Sequence, residues 1–124
     1  MILVDTSVWI DHLRAADAQL VALLNRNEVL AHPFVIGEIA LGSVAKCADV
    51  LRYLNNLPAV VVATHAEIMI FIERHKLFST GLGYVDAGVL ASAALTPGSA
   101  IWSRDKTLRA AAARCGLAPK VALK

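Results

Sequence analysis

An α/β fold, with a small and mostly parallel sheet between layers of helices, is predicted by three features of this sequence. Short apolar runs that do not alternate with polar residues (Ile2-Leu3-Val4, Ala59 to Ala63, Ala100 to Ser103) read as strands buried on both faces. Each run is followed by a stretch of helical period, the alternation that generates parallel sheets. No linker, internal repeat or low-complexity segment divides the 124 residues, so residues 1–124 form a single domain large enough for its own core.

The elements follow in order. Ile2 to Val4 is the first strand, and Thr6 to about Arg14 the first helix. A second helix starts at Asp17, a good N-cap, and presents Leu20, Leu23 and Leu24 on one face. Glu28 to His32 reads as a short strand, after which Pro33 sits where proline is welcome, in the first turn of a helix running to about Val44. A fourth helix covers Ala48 to Leu54, and Ala59 to Ala63 is a valine-rich strand. Thr64 and Glu67 have capping-box spacing, and Ile68, Phe71 and Ile72 are the buried stripe of the helix they begin. The Gly81-Leu82-Gly83 turn leads into an almost wholly apolar helix from Tyr84 to Leu95. Ala100 to Ser103 is the next strand, Lys106 to Cys115 the last long helix, and Gly116 its stop. Lys120 to Ala122 is a candidate closing strand.

The composition narrows the class of protein. A hydrophobic fraction of 57% is high, yet the longest uncharged stretch, Ala87 to Ser103, is broken by Thr96-Pro97-Gly98-Ser99. A membrane-spanning helix needs about 20 mainly apolar residues, so the excess belongs to a buried core or an apolar partner surface. The chain opens directly on Met-Ile-Leu-Val-Asp without a basic leader, and Cys47 and Cys115 form no CxxC pair. A cytoplasmic protein with reduced thiols is expected.

Three carboxylates stand alone among uncharged residues. Asp5 is the only charge in the first ten residues, Glu38 the only one between Glu28 and Lys46, and Asp86 the only one between Lys76 and Arg104. Burying one ionised carboxylate costs several kcal/mol, on the order of a whole domain's margin, unless something positive meets it. No Lys or Arg lies in the same segments. Asp5 follows the first strand, at the sheet edge where open α/β folds bind ligands. Glu38 shares a helical stripe with Val35, Ile39 and Gly42, and is expected to face the core side. Asp86 heads the most apolar helix, with Val89, Leu90 and Ala93 on its stripe. Asp105 follows another apolar strand as Asp5 follows the first. Each acid also has a plain structural reading, as a cap, a dipole partner or a buried neutral group. Taken together, they suggest convergence on a hard divalent cation, Mg²⁺ or Mn²⁺, which prefers oxygen ligands.

With those four acids turned inward, the remaining shell would carry twice as many basic as acidic side chains, which favours a polyanionic partner. Arg104, Lys106 and Arg109 lie beside Asp105 and could guide a phosphate backbone. Ser103 beside Asp105 offers a hydroxyl that could hold a metal-bound water, while Thr6 or Ser7 could cap the helix after Asp5. The histidines (His12, His32, His65 and His75) have no zinc-binding spacing, and no GxSxG elbow, Walker A loop or GxGxxG fingerprint is present.

Asp5-Thr6-Ser7, Glu38 in its apolar helix, Gly83-Tyr84-Val85-Asp86 and Trp102-Ser103-Arg104-Asp105 occur in an order and at a length that resemble the PIN-domain ribonucleases, and among them the VapC-type toxins of toxin–antitoxin pairs. The resemblance implies a three-layer α/β/α fold and Mg²⁺ or Mn²⁺ held by Asp5, Glu38, Asp86 and Asp105 as catalytic residues. Thr6, Ser7 and Ser103 would support them. It also implies endonucleolytic cleavage of RNA (tRNA or rRNA), a homodimer, and a cognate antitoxin. Val44, Leu51, Tyr53 and Leu54 are a candidate antitoxin groove. Two other readings stay open: a phosphoryl-transfer or phosphoacceptor protein using Asp5, and a catalytically idle nucleic-acid-binding module on the same fold.

Overall fold

The computed structural model describes all 124 residues. Three parallel strands, β1 (Ile2–Val4), β2 (Val29–Leu30) and β3 (Ala100–Trp102), form a sheet in the order β2-β1-β3. The central place of β1 explains its unbroken apolar run: Leu3 and Val4 are fully buried, with neighbours on both sides and helices above and below. Val4 pairs with Trp102, and the Asp5 amide donates to the Trp102 carbonyl at 2.9 Å. The chain therefore leaves β1 and β3 side by side at the carboxyl edge.

Seven helices complete the three-layer fold: α1 (Thr6–Arg14), α2 (Ala18–Asn25), α3 (Pro33–Leu41), α4 (Cys47–Asn55), α5 (His65–Arg74), α6 (Tyr84–Leu95) and α7 (Lys106–Arg114). Most are started by a side chain that accepts an otherwise unpaired amide: Asp5 for α1, Asp17 for α2, His32 for α3, Thr64 for α5 and Asp105 for α7. The expected Thr64/Glu67 capping box is present in both directions. At the far end of α7, Gly116 adopts φ +73°. This lets the Leu117 amide close on the Ala112 carbonyl at 2.8 Å, while the Leu117 carbonyl accepts from Ile101 of β3. None of the helices is long and apolar enough to cross a membrane.

Four expectations are corrected. Ala59 to Ala63 is not a strand; it makes only an isolated bridge, Ala31 with Ala59. Beyond Val60, whose amide still donates to Ala31, hydroxyls in α6 and at its C-terminal cap take over. The Val61 amide donates to Thr96 Oγ1 and the Ala63 amide to Ser92 Oγ. Helix α3 ends at Leu41 and Gly42, short of Val44, and β2 holds only two residues. Lys120 to Ala122 forms no strand either. The Gln19 side chain ties this segment down, donating to the Ala122 carbonyl and accepting the Lys124 amide.

Phe34 of α3 and Ile68 of α5 both pack on α6 at Gly88. A Cβ placed on Gly88 would lie 2.8 Å from Phe34 Cε2 and 3.2 Å from Ile68 Cδ1. Phe34 thereby links the start of α3 to the helix carrying Asp86.

Candidate active site

Asp5 is buried, and its position is over-determined. Its Oδ2 accepts from Ser7 Oγ at 2.7 Å, Ser103 Oγ at 2.8 Å and the Ser7 amide at 3.3 Å. Ser7 Oγ in turn accepts the Arg104 amide, and Ser103 Oγ accepts the Asp105 amide. Two hydroxyls thus join the loop after β1 to the loop after β3. No protein donor reaches Asp5 Oδ1, which leaves that oxygen free for a ligand.

Glu38 is exposed rather than turned to the core as its stripe suggested; Val35 and Ile39 carry that face instead. Thr6 Oγ1 donates to Glu38 Oε1 at 2.7 Å, drawing the side chain toward the start of α1. Asp105 is exposed and caps α7 by accepting the Leu108 amide at 3.0 Å. Asp86, half-buried in the first turn of α6, has no hydrogen-bond donor from the protein. Burial first, then the charges of Asp5, Glu38 and Asp105, push its pKa up to about 6. All three other acids are therefore close enough for Asp86 to feel them.

None of the four is paired with a Lys, Arg or His. Nor do they close into a ready-made group of three or more ligands around one point. Glu38 is held by Thr6, and Asp105 is held by its cap. This donor set fits a hard divalent cation. It consists of carboxylate oxygens alone, each acid keeps an oxygen unclaimed by the protein, and Mg²⁺ commonly uses one or two carboxylates with several waters.

The three basic residues near Asp105 diverge. The Arg104 guanidinium is held by Asp11 at 2.8 Å, Asp17 at 2.5 Å and the Lys124 carbonyl, and lies 5.5 Å from the Trp102 ring centre. Arg109 lines a cavity of about 380 Å³ beneath the C-terminal segment. Lys106 is exposed and unpaired, and shares a different opening with Thr80 and Arg114. Of the candidate antitoxin-groove residues, Leu51 and Leu54 line a groove of about 390 Å³ between α3 and α4 with Pro33, Ile36 and Leu57; Val44 and Tyr53 do not.

Two arrangements near the site escaped the sequence reading. His32, fully buried, accepts the Phe34 amide at Nδ1, so its Nε2 carries the proton and donates to Ser92 Oγ at 2.9 Å. Ser92 donates to the Gly88 carbonyl and accepts the Ala63 amide. Burial holds the His32 pKa down to about 4, which keeps the ring neutral. The available signal was Ser92 as the one polar residue between Ala87 and Leu95, with His32 directly before the helix-starting Pro33. The second arrangement is an exposed pair, His65 Nδ1 and the Tyr84 hydroxyl, 2.7 Å apart.

A PIN domain matches residues 2–114 of the chain. Over 118 residues it is 53% identical to the Ribonuclease VapC32 proteins of two Mycobacterium tuberculosis strains, and 95% of each chain is covered. With the parallel sheet and the acids at its carboxyl edge, these similarities settle the family: the chain belongs to the PIN-domain family, in its VapC group.

Proposed function

We propose that this protein is a divalent-metal-dependent endoribonuclease and the toxin of a toxin–antitoxin pair. The observation that carries the proposal is the set of Asp5, Glu38, Asp86 and Asp105 gathered at one sheet edge without a neutralising side chain, next to relatives named as ribonucleases. These four residues would hold Mg²⁺ or Mn²⁺. A bound cation would make water a better nucleophile and offset charge building on the phosphodiester.

The protein's own part is positioning. Ser7 and Ser103 fix Asp5, so that one ligand is preorganised while Glu38 and Asp105 stand at the rim. Lys106, the exposed residue after Asp105, would receive a phosphate of the RNA backbone. Arg104 instead acts as an internal tie, because two carboxylates already hold it. Within this reading, the α3–α4 groove receives an apolar segment of an antitoxin, and exposed Met69, Ile70 and Leu95 belong to a homodimer contact. The RNA target is a structured RNA such as tRNA or rRNA.

Incubating purified protein with RNA tests the nuclease claim. Cleavage should need Mg²⁺ or Mn²⁺, stop with a chelator, and fall by at least about 100-fold in Asp86→Asn or Asp5→Asn, consistent with loss of an electrostatic catalytic group. Cleavage by Asp86→Asn at the wild-type rate would contradict it.

A further inference from the structure

The seven aromatic residues of the chain divide sharply by place. Trp9, Phe71 and Trp102 are buried, and Phe34 packs on Gly88 and His32. Tyr53, Phe78 and Tyr84 are exposed. Only Tyr84 among these begins the helix that bears Asp86, and it stands two residues before that carboxylate.

Its partner His65 is the first residue of α5, which packs along α6. The residues before α5 run parallel to β2, since Ala59 bridges Ala31 in that sense, so α5 starts at the carboxyl edge of the sheet. Helix α6 also starts there, because it must run back to deliver the chain to the amino end of β3. The two rings therefore stand on the same rim as the acids. Their centres are 5.6 Å apart with planes inclined by 38°, and the 2.7 Å hydrogen bond fixes one against the other. Tyr84 is 46% exposed. A ring so braced and so open contributes little to the core; it is a surface held ready.

We infer that Tyr84, braced by His65, is a stacking platform for an unpaired nucleobase next to the phosphate at the acidic site. The inference rests on the nuclease reading above and names the residue on which a base would lie. In a duplex both faces of a base are covered by its neighbours, whereas an unpaired base can lie on an aromatic ring. The Tyr84 hydroxyl is already engaged by His65, so recognition is by the face of the base and tolerates different bases. Stacking of this kind is sequence-tolerant and dominated by ring overlap. A loop or single-stranded stretch is thereby selected over a helix, without any base-specific hydrogen bond.

The test is fluorescence anisotropy in a chelating buffer, so that binding is read without cleavage. The probe is a fluorescein-labelled, unstructured RNA of about ten nucleotides, within the length one such site covers. Tyr84→Leu should weaken binding by about 5- to 100-fold, while Tyr84→Phe and Tyr84→Trp stay within about threefold of wild type. An abasic ribose walked along the probe should weaken wild-type binding at one position and leave Tyr84→Leu unaffected there. A fully paired RNA of the same length should show no difference between wild type and Tyr84→Leu. Equal binding by wild type and Tyr84→Leu, or no abasic position that matters to wild type, overturns the inference. Should Tyr84→Leu not fold, the abasic walk on wild type decides alone. Absence of cleavage in Mg²⁺ or Mn²⁺ would instead refute the nuclease reading and leave the binding comparison legible.

Discussion

Asp86 receives the least help from the protein among the four acids, and this gives it a measurable signature. Its pKa stands at about 6 against an ordinary 3.8, so the folded chain holds that proton more tightly than the unfolded one. The stability this contributes is full below about pH 4 and is lost as pH rises through about 6. Asp86→Asn removes the penalty. At pH near 7 and without metal it should raise unfolding stability by about 1 kcal/mol, after allowing for solvent screening at a half-buried site. Urea denaturation measures this, and a gain that persists unchanged near pH 4 would refute it. His32 titrates in the opposite sense. Its pKa is lowered to about 4 from 6.5, so stability is complete above about pH 6.5 and is lost as pH falls toward 4. His32→Asn keeps a capping side chain and should flatten that acid-side loss. An unchanged slope would show that the ring titrates freely. Because the two groups oppose each other between pH 4 and 6, only variant-minus-wild-type differences separate them.

At the scale of elements, Phe34 at the start of α3 packs directly on Gly88 of α6. Gly88→Ala should cost about 1–3 kcal/mol by thermal or urea unfolding, since a methyl group would collide with Phe34. A neutral result would mean the helices can part without loss. Most helices were legible in the sequence because capping residues and apolar stripes are local: α1 and α6 fall at their expected residues, and Asp17 and Thr64 cap as expected. The Ala59 to Ala63 segment was not legible, because its amides are taken by Ser92 and Thr96 about thirty residues further along the chain, which valine content cannot reveal. The isolation of Asp5 and Asp86 among uncharged residues singled out two acids that the fold brings near each other. The burial of Glu38 was misjudged because a helical stripe defines a face, and the edge of that face opens on the site.

Over the whole molecule, Arg104 joins pieces that are distant in sequence: α1 through Asp11, the start of α2 through Asp17, the chain's last residue, and the loop that carries Ser103 and Asp105. Lys106, two residues on, is free. The two cations should therefore fail differently. Arg104→Ala should lower stability by about 1–3 kcal/mol by stranding Asp17, while the salt dependence of RNA binding stays as in wild type. Lys106→Ala should leave stability within about 0.5 kcal/mol and reduce the slope of log binding constant against log salt by about 0.7, one phosphate contact on a single strand. The reverse pattern would exchange their roles.

In the proposed reading Asp5, Glu38, Asp86 and Asp105 together hold one cation, and no Lys or Arg pairs with any of them. Calorimetric titration of Mn²⁺ into the metal-free protein addresses it without reference to RNA. Saturable binding by wild type, weakened at least about tenfold in Asp5→Asn and Asp86→Asn, is the predicted result. Wild-type protein that takes up no Mn²⁺, or an Asp86→Asn variant that binds it as tightly as wild type, would contradict the account.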